Sequence, residues 1–109
     1  MPGPVITPSK GESLLVARRR LGLNQVDAAA AFGVHPDIYR EWEADKRTAG
    51  QPWKRLGALK IHEVCMLLRR RKGMTQRELA KQMGCTRLWV IQMENGEAPA
   101  ERLREHWGV

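Results

Sequence analysis

Residues 73–96 read GMTQRELAKQMGCTRLWVIQMENG, and residues 22–45 read GLNQVDAAAAFGVHPDIYREWEAD. Aligned without a gap, 51 positions apart, the two segments share the opening glycine, a glutamine, an alanine, a second glycine and a glutamate. An arginine triplet precedes each segment, at residues 18–20 and 69–71. Similarity at a fixed period indicates a repeated structural unit. The sequence therefore predicts two copies of one small unit that account for nearly all 109 residues.

Helix signals recur in both copies and strand signals do not. Leu, Ala, Val and Met supply most of the apolar side chains, a composition that suits helices better than strands. We predict an all-α protein of two tandem units with about four short helices each. The predicted organisation is a flexible N-terminal tail over residues 1–8, a first repeat over residues 9–58 and a second repeat over residues 59–109.

Capping residues and glycines mark the expected helix ends. The helices predicted in the first repeat run from Ser9 or Ser13 to about 21, from Asn24 to 32, from Pro36 to about 42 and from Pro52 to about 58. Those predicted in the second repeat cover 61–72, 76–83, 87 to about 94 and 100–107, with Asn95-Gly96 turning into the left-handed conformation. The inward face of the second helix is predicted to carry Val26, Ala28, Ala29 and Phe32.

The composition favours a polyanionic partner and excludes several other classes. A net charge of +7 is shared by both halves of the chain, as expected for a protein that releases counterions from phosphates. Cys65 and Cys85 lie far apart at apolar positions, which predicts two buried, reduced thiols in a cytoplasmic protein. No Cys/His cluster has zinc spacing, no apolar run is long enough for a membrane span, and no catalytic grouping of His35, His62 or His106 is evident. We therefore expect no metal, no cofactor, no membrane and no enzymatic activity.

The second segment carries a specific set of landmarks at fixed spacing. They are Thr75-Gln76, Leu79-Ala80, Gly84, Val90, Met93 and Glu94-Asn95-Gly96. In this set the segment resembles the Cro/repressor-type (XRE-like) helix-turn-helix DNA-binding family. The first repeat is similar in its front half but ends Glu43-Ala44-Asp45, so it is the degenerate copy. The resemblance also implies two structural ion pairs, Arg18 with Glu43 and Arg69 with Glu94.

The resemblance implies that the helix after Gly84 enters the major groove of double-stranded DNA. Its outward residues, and so the predicted base contacts, are Thr86, Arg87, Leu88 and Gln92. Arginine can pair with guanine and glutamine with adenine, which makes Arg87 and Gln92 the principal readers. The predicted phosphate contacts are Gln76, Thr75, Gln25, Asn24, Arg70, Arg77 and Arg47. A charge run on a helix is also compatible with a simple solvated face.

Both copies depart from the family pattern where bases would be read. Asp37 and Glu41 stand in the first repeat at the positions of Leu88 and Gln92, and carboxylates are costly in a phosphate-lined groove. The first repeat is therefore a weak reader or no reader. In the second repeat Leu88, Trp89 and Ile91 are large and apolar, so they either cover the core edge or form a protein interface.

Two functions follow. The first is a sequence-specific DNA-binding transcriptional regulator, such as a repressor of the phage, plasmid or mobile-element type. The alternative is a helix-turn-helix-derived protein-binding module, an antiactivator or antitoxin, that captures a regulatory protein partner through Leu88, Trp89, Ile91, Asp37 and Glu41. The chain acts either as a monomer with two heads or as a homodimer, and the sequence leaves both open.

Overall fold

The computed structural model describes residues 6–47 and 57–109, and all regular secondary structure in these ranges is α-helical. The all-α prediction is confirmed. The helices are α1 (Lys10–Arg20), α2 (Gln25–Phe32), α3 (Pro36–Glu43), α4 (Ile61–Arg71), α5 (Gln76–Met83), α6 (Arg87–Glu94) and α7 (Glu101–Trp107). None of these helices has the length and apolar character that a membrane crossing requires.

The chain divides into two compact units, Thr7–Ala58 and Leu59–Val109, the second of which also includes Ile6. We refer to them as the N-terminal unit and the C-terminal unit. The division falls at the boundary between the two aligned repeats. The first five residues of the predicted tail and most of the helix predicted from Pro52 lie outside the described residues. Gly57, with φ +70°, and Ala58 are described and are not helical.

Local side-chain chemistry explains where the helices begin. Ser9 caps α1: its hydroxyl accepts from the backbone N–H of Glu12, whose side chain accepts from the N–H of Ser9 in return. Thr75 and Glu78 form the same reciprocal capping box at α5, over 3.1 and 3.2 Å. Each box satisfies two backbone donors that a helix start would otherwise leave unpaired.

A glycine in the left-handed region ends the second helix of each unit. Gly33 has φ +70° and Gly84 has φ +68°, a conformation that side chains with a Cβ rarely adopt. In each unit only two more residues follow before the next helix starts. The turn is therefore short enough to hold α2 against α3 in the N-terminal unit and α5 against α6 in the C-terminal unit, as the packing of both pairs shows.

The N-terminal unit buries small residues of α2 beneath an aromatic cluster. Ala28, Ala29 and Tyr39 are fully buried, and Phe32 and Trp42 pack against them. The Phe32 ring stacks 6.0 Å from that of Tyr39 and meets Trp42 edge-on at 5.6 Å. Edge-on and offset contacts of this kind add to the stabilisation from buried area. The aromatic side chains thus compensate for the four alanines of α2.

The C-terminal unit is built instead on sulfur-containing and aliphatic side chains. Its core residues are Cys65, Leu79, Ala80, Val90, Met93 and Leu103, all nearly inaccessible to solvent. Burial raises the pKa of the Cys65 thiol to about 11, and the carboxylate of Glu94 adds to the shift. Trp107 closes the edge of this core, with the ammonium of Lys72 5.4 Å from its ring centre. Helices α4 to α7 pack around this core and form a four-helix unit of about fifty residues.

Three predictions about individual residues were wrong. Val26 was expected on the inward face of α2, yet it is 55 % exposed because it lies in the first turn, where Ala28 and Ala29 already fill the contact with α3. Cys85 is half-buried rather than buried, since it lies in the turn between α5 and α6. Asn95 keeps right-handed dihedral angles, and Gly96 alone takes the left-handed conformation.

Candidate nucleic-acid interface

A buried ion pair fixes the positions of three helices in the C-terminal unit. The Nε of Arg69 donates to Glu94 over 2.7 Å and its Nη2 over 3.1 Å, so the contact is bidentate. The Nη1 of Arg69 donates to the carbonyl of Met74 over 2.7 Å. Gln76, the first residue of α5, donates its amide to the same carboxylate over 3.0 Å. The end of α4, the start of α5 and the end of α6 are therefore joined through one carboxylate.

The N-terminal unit repeats this arrangement atom for atom. Arg18 donates to Glu43 over 2.6 and 3.3 Å and to the carbonyl of Leu23 over 3.0 Å. Gln25 donates to Glu43 over 3.0 Å. Both ion pairs that the resemblance implied are thus present. The sequence reasoning missed the two glutamine contacts, although the shared spacing of glutamine and glutamate was their available signal.

The first turn of α6 presents a polar and apolar surface to solvent. Thr86 caps the helix by accepting from the N–H of Trp89 over 3.1 Å. Thr86, Arg87 and Leu88 are all exposed, Leu88 to 62 %. The Arg87 side chain makes no hydrogen bond or ion pair with any residue in the described ranges. Among the predicted base contacts, Arg87 therefore has a side chain without a partner in the described ranges, and Leu88 is exposed, whereas the Thr86 hydroxyl is engaged as the cap.

The other residues predicted on this helix are less accessible. Gln92 and Ile91 are half-buried, and Trp89 is 36 % exposed. Leu88 and Trp89 therefore form the more accessible apolar part of α6, whereas Ile91 is half-buried. The three apolar side chains therefore differ in their solvent exposure, and Leu88 is the most exposed of them.

The predicted phosphate contacts of the C-terminal unit fall into two groups. Arg70 and Arg77 are exposed and, among the residues that the structure describes, have no side-chain partner. Thr75 and Gln76 already have structural roles, as the cap of α5 and as a donor to Glu94. The Oε1 atom of Gln76 takes part in no contact with the described residues. The two arginines are therefore the freest cations of this set.

The corresponding residues of the N-terminal unit are engaged with one another. Arg40 donates to Asp37 and also to the Oε1 of Gln25, the latter over 3.3 Å. Arg47 donates to Glu41 over 2.8 Å. Asp37 and Glu41 were predicted as carboxylates that would face a DNA groove or a protein partner. Each of them is paired with an arginine of the same unit. Arg47, predicted to bind phosphate, is the partner of one of them.

Asn24, the remaining predicted phosphate contact, caps α2. Its side-chain oxygen accepts from the N–H of Asp27 over 2.8 Å. Such a contact satisfies one of the free donors at the helix start. The residue is exposed, so its amide nitrogen still faces solvent. Asn24 therefore has the same structural role as Thr75 in the other unit.

In each unit the start of the first helix contacts the segment after the third helix, but the two units use different residues for this contact. In the N-terminal unit Asp45, at φ 59°, accepts from the hydroxyl of Ser9 and from the N–H of Gly11, the latter over 2.8 Å. A Cβ on Gly11 would lie 2.4 Å from the carbonyl oxygen of Glu43, so only glycine fits. The Asp45 side chain thus accepts from the backbone of a residue that must be glycine.

The C-terminal unit has the two residue types in the opposite order. Gly96 occupies the position of Asp45, and His62 occupies that of Gly11. The imidazole of His62 covers Gly96 so closely that an added Cβ would lie 2.9 Å from a ring carbon. The side chain that fills the gap thus comes from the third helix end in one unit and from the first helix in the other. No single-position signal in the sequence reveals this exchange.

Comparisons with known proteins add no identification. No protein-family model, no curated protein and no solved structure matches this chain.

Proposed function

We propose that the protein is a sequence-specific double-stranded DNA-binding transcriptional regulator, such as a repressor of the phage, plasmid or mobile-element type. The reading element is the helix pair α5–α6, a helix-turn-helix in which α6 lies in the major groove. The observation that carries the proposal is the start of α6, where Arg87 and Leu88 project beside the capping residue Thr86 and the Arg87 guanidinium has no competing partner among the described residues.

The geometry of the helix pair supports this assignment. An eight-residue helix is about 12 Å long, which suits the width of the major groove. The carboxylate of Glu94 ties the last turn of α6 to the first turn of α5 through Gln76. Arg77 lies in that first turn of α5, and its exposed side chain is available for a phosphate contact.

Charge supports the same proposal. The chain carries a net charge of +7, and Arg70, Arg77 and Arg87 are exposed without ion-pair partners among the described residues. Exposed arginines of this kind gain free energy from phosphate contacts by releasing counterions. The polar Thr86 and the apolar Leu88 beside Arg87 add contacts to base edges and to the thymine methyl group.

The test is selection from a pool of random duplexes by the full chain, followed by sequencing of the bound fraction. An enriched motif that persists at moderate salt is the expected result. Arg87→Ala and Gln92→Ala should then each weaken cognate binding by roughly 1–3 kcal/mol and leave binding to random DNA nearly unchanged. Pro36→Ala, at the position in the N-terminal unit that corresponds to Arg87, is the matched control.

Equal losses on cognate and random DNA would remove the base-reading role of Arg87 and Gln92. Binding that disappears at moderate salt, with no enriched motif, would remove sequence specificity altogether.

A protein-binding module is the second candidate, because Leu88 is 62 % and Trp89 36 % exposed. Large apolar side chains that stay in solvent are typical of protein interfaces. In that function Leu88→Ser and Trp89→Ala would abolish capture of a regulatory protein with no change in the circular dichroism spectrum. DNA affinity that falls with Arg87→Ala but not with Trp89→Ala would favour the DNA-binding function over this one.

A further inference from the structure

We infer that each chain reads only one DNA half-site, through the C-terminal unit, and that the α2–α3 face of the N-terminal unit makes no DNA contact. The inference rests on the proposed function and names its ligand more closely: one major-groove segment per chain rather than two adjacent ones. Three independent features of the N-terminal unit lead to it.

The first feature is the absence of two cationic side chains that the C-terminal unit carries. Leu21 and Val26 occupy the positions that Lys72 and Arg77 occupy in the C-terminal unit. Both apolar side chains remain in solvent, at 59 % and 55 % exposure, so the difference is one of surface chemistry and not of core packing. An alkyl group displaces no counterion from a phosphate, and its approach removes part of the favourable hydration of the phosphate.

The second feature is the neutral first turn of α3. Pro36 stands where Arg87 begins α6, and proline offers neither a side-chain donor nor a backbone N–H. Asp37 follows it and is paired with Arg40. Glu41, at the position of Gln92, is likewise paired with Arg47 over 2.8 Å. Arg40 and Arg47 are therefore already associated with carboxylates of the same unit.

The third feature is the state of the glutamine that opens the second helix. In the N-terminal unit both ends of the Gln25 amide are engaged, since its nitrogen donates to Glu43 and its oxygen accepts from Arg40. In the C-terminal unit Ile91 stands in place of Arg40, and the oxygen of Gln76 has no partner among the described residues. Both polar atoms of the glutamine amide are therefore hydrogen-bonded within the N-terminal unit, whereas the C-terminal unit leaves the amide oxygen available to a ligand.

The structure offers a matched pair of positions for the test. Val26 and Arg77 are aligned, exposed, and lie in the first turn of their helices, where glutamate is compatible with the helix dipole. On the duplex selected by the full chain, Arg77→Glu should weaken binding and reduce the slope of log affinity against log salt by at least about 1. Val26→Glu and Val26→Arg should leave both the affinity and the slope unchanged. Thermal unfolding of each variant establishes that it is folded.

Stoichiometry gives a second and independent readout. Native mass spectrometry of the complex with the selected duplex should show one chain for each half-site, either one chain on an asymmetric motif or two chains on a two-fold symmetric one. One chain that spans two half-sites would overturn the inference and leave the proposed function intact. An affinity loss in Val26→Glu equal to that in Arg77→Glu would do the same. Failure of every variant and of the wild type to prefer any duplex would remove the proposed function, and this inference with it.

Discussion

Replacement of Glu94 by glutamine should destabilise the C-terminal unit by about 3 kcal/mol. The Glu94 side chain is fully buried, and it accepts three hydrogen bonds, two from Arg69 and one from Gln76. Glutamine keeps the shape but has a single acceptor oxygen, and its NH2 group would point at donors. The guanidinium of Arg69, only 10 % exposed, would then have only neutral acceptors, the carbonyl of Met74 and the single oxygen of the glutamine.

The magnitude follows from the burial of the pair. Removal of one partner from a buried ion pair costs about 3–5 kcal/mol, mostly because the remaining charge is left uncompensated. The lower end applies here, since glutamine retains one acceptor and Arg69 keeps slight access to water. For a domain of this size 1 kcal/mol corresponds to roughly 4–8 °C, so the melting temperature should fall by roughly 12–24 °C.

Amide hydrogen exchange measured by mass spectrometry is the appropriate assay, because it resolves the two units by peptide. Glu94→Gln should increase exchange in α4 to α7, and Glu43→Gln should do so in α1 to α3, since Glu43 is equally buried and bound. Glu97→Gln, at an exposed residue, is the control and should change neither. A loss below about 1 kcal/mol in Glu94→Gln would refute the reasoning, because it would show that Arg69 does not depend on the carboxylate.

Three further predictions concern the same unit. Gly96→Asp should cost about 1–3 kcal/mol, because the backbone at φ +79° disfavours a side chain and because the new Cβ meets His62. His62→Gly should remove the second of these two costs, and additive effects of the two substitutions in chemical denaturation would contradict the coupling between positions 62 and 96. Cys65, whose raised pKa of about 11 keeps the thiol protonated at pH 8, should react with iodoacetamide far more slowly than half-buried Cys85, and equal rates by mass spectrometry would contradict its burial. Thr75→Ala should lower the free energy of unfolding by about 1 kcal/mol, and an unchanged denaturation midpoint would show that its cap is dispensable.

The helix pattern could be predicted from the sequence because its determinants are local. Ser9, Asn24 and Thr75 each bond to a backbone N–H three residues away, so a short window contains the whole signal. Val26 was placed wrongly because, in the first turn of a helix, helical periodicity alone does not determine which residues face the core. In α2 four of the next five residues are alanines, which makes the inward face ambiguous.

The candidate site could be predicted only in part. The exposure of Arg87 and Leu88 follows from their place at a helix start. The pairing of Asp37 with Arg40 and of Glu41 with Arg47 depends on rotamers that a sequence does not specify. The contact between Gln76 and Glu94 joins residues 18 positions apart, and no periodicity within one helix encodes such a contact.

The opposite placement of glycine in the two units limits how the repeats can exchange genetic material. Recombination between two similar coding segments copies a tract of arbitrary length, and the residues at the start and end of each unit are 34 positions apart. A tract that carries histidine to position 11 alone would set its Cβ against the carbonyl oxygen of Glu43, and one that carries aspartate to position 96 alone would meet His62. Tracts that include both positions, or neither, avoid these two collisions. A partial exchange between the copies is therefore more destabilising than an exchange that carries both positions together.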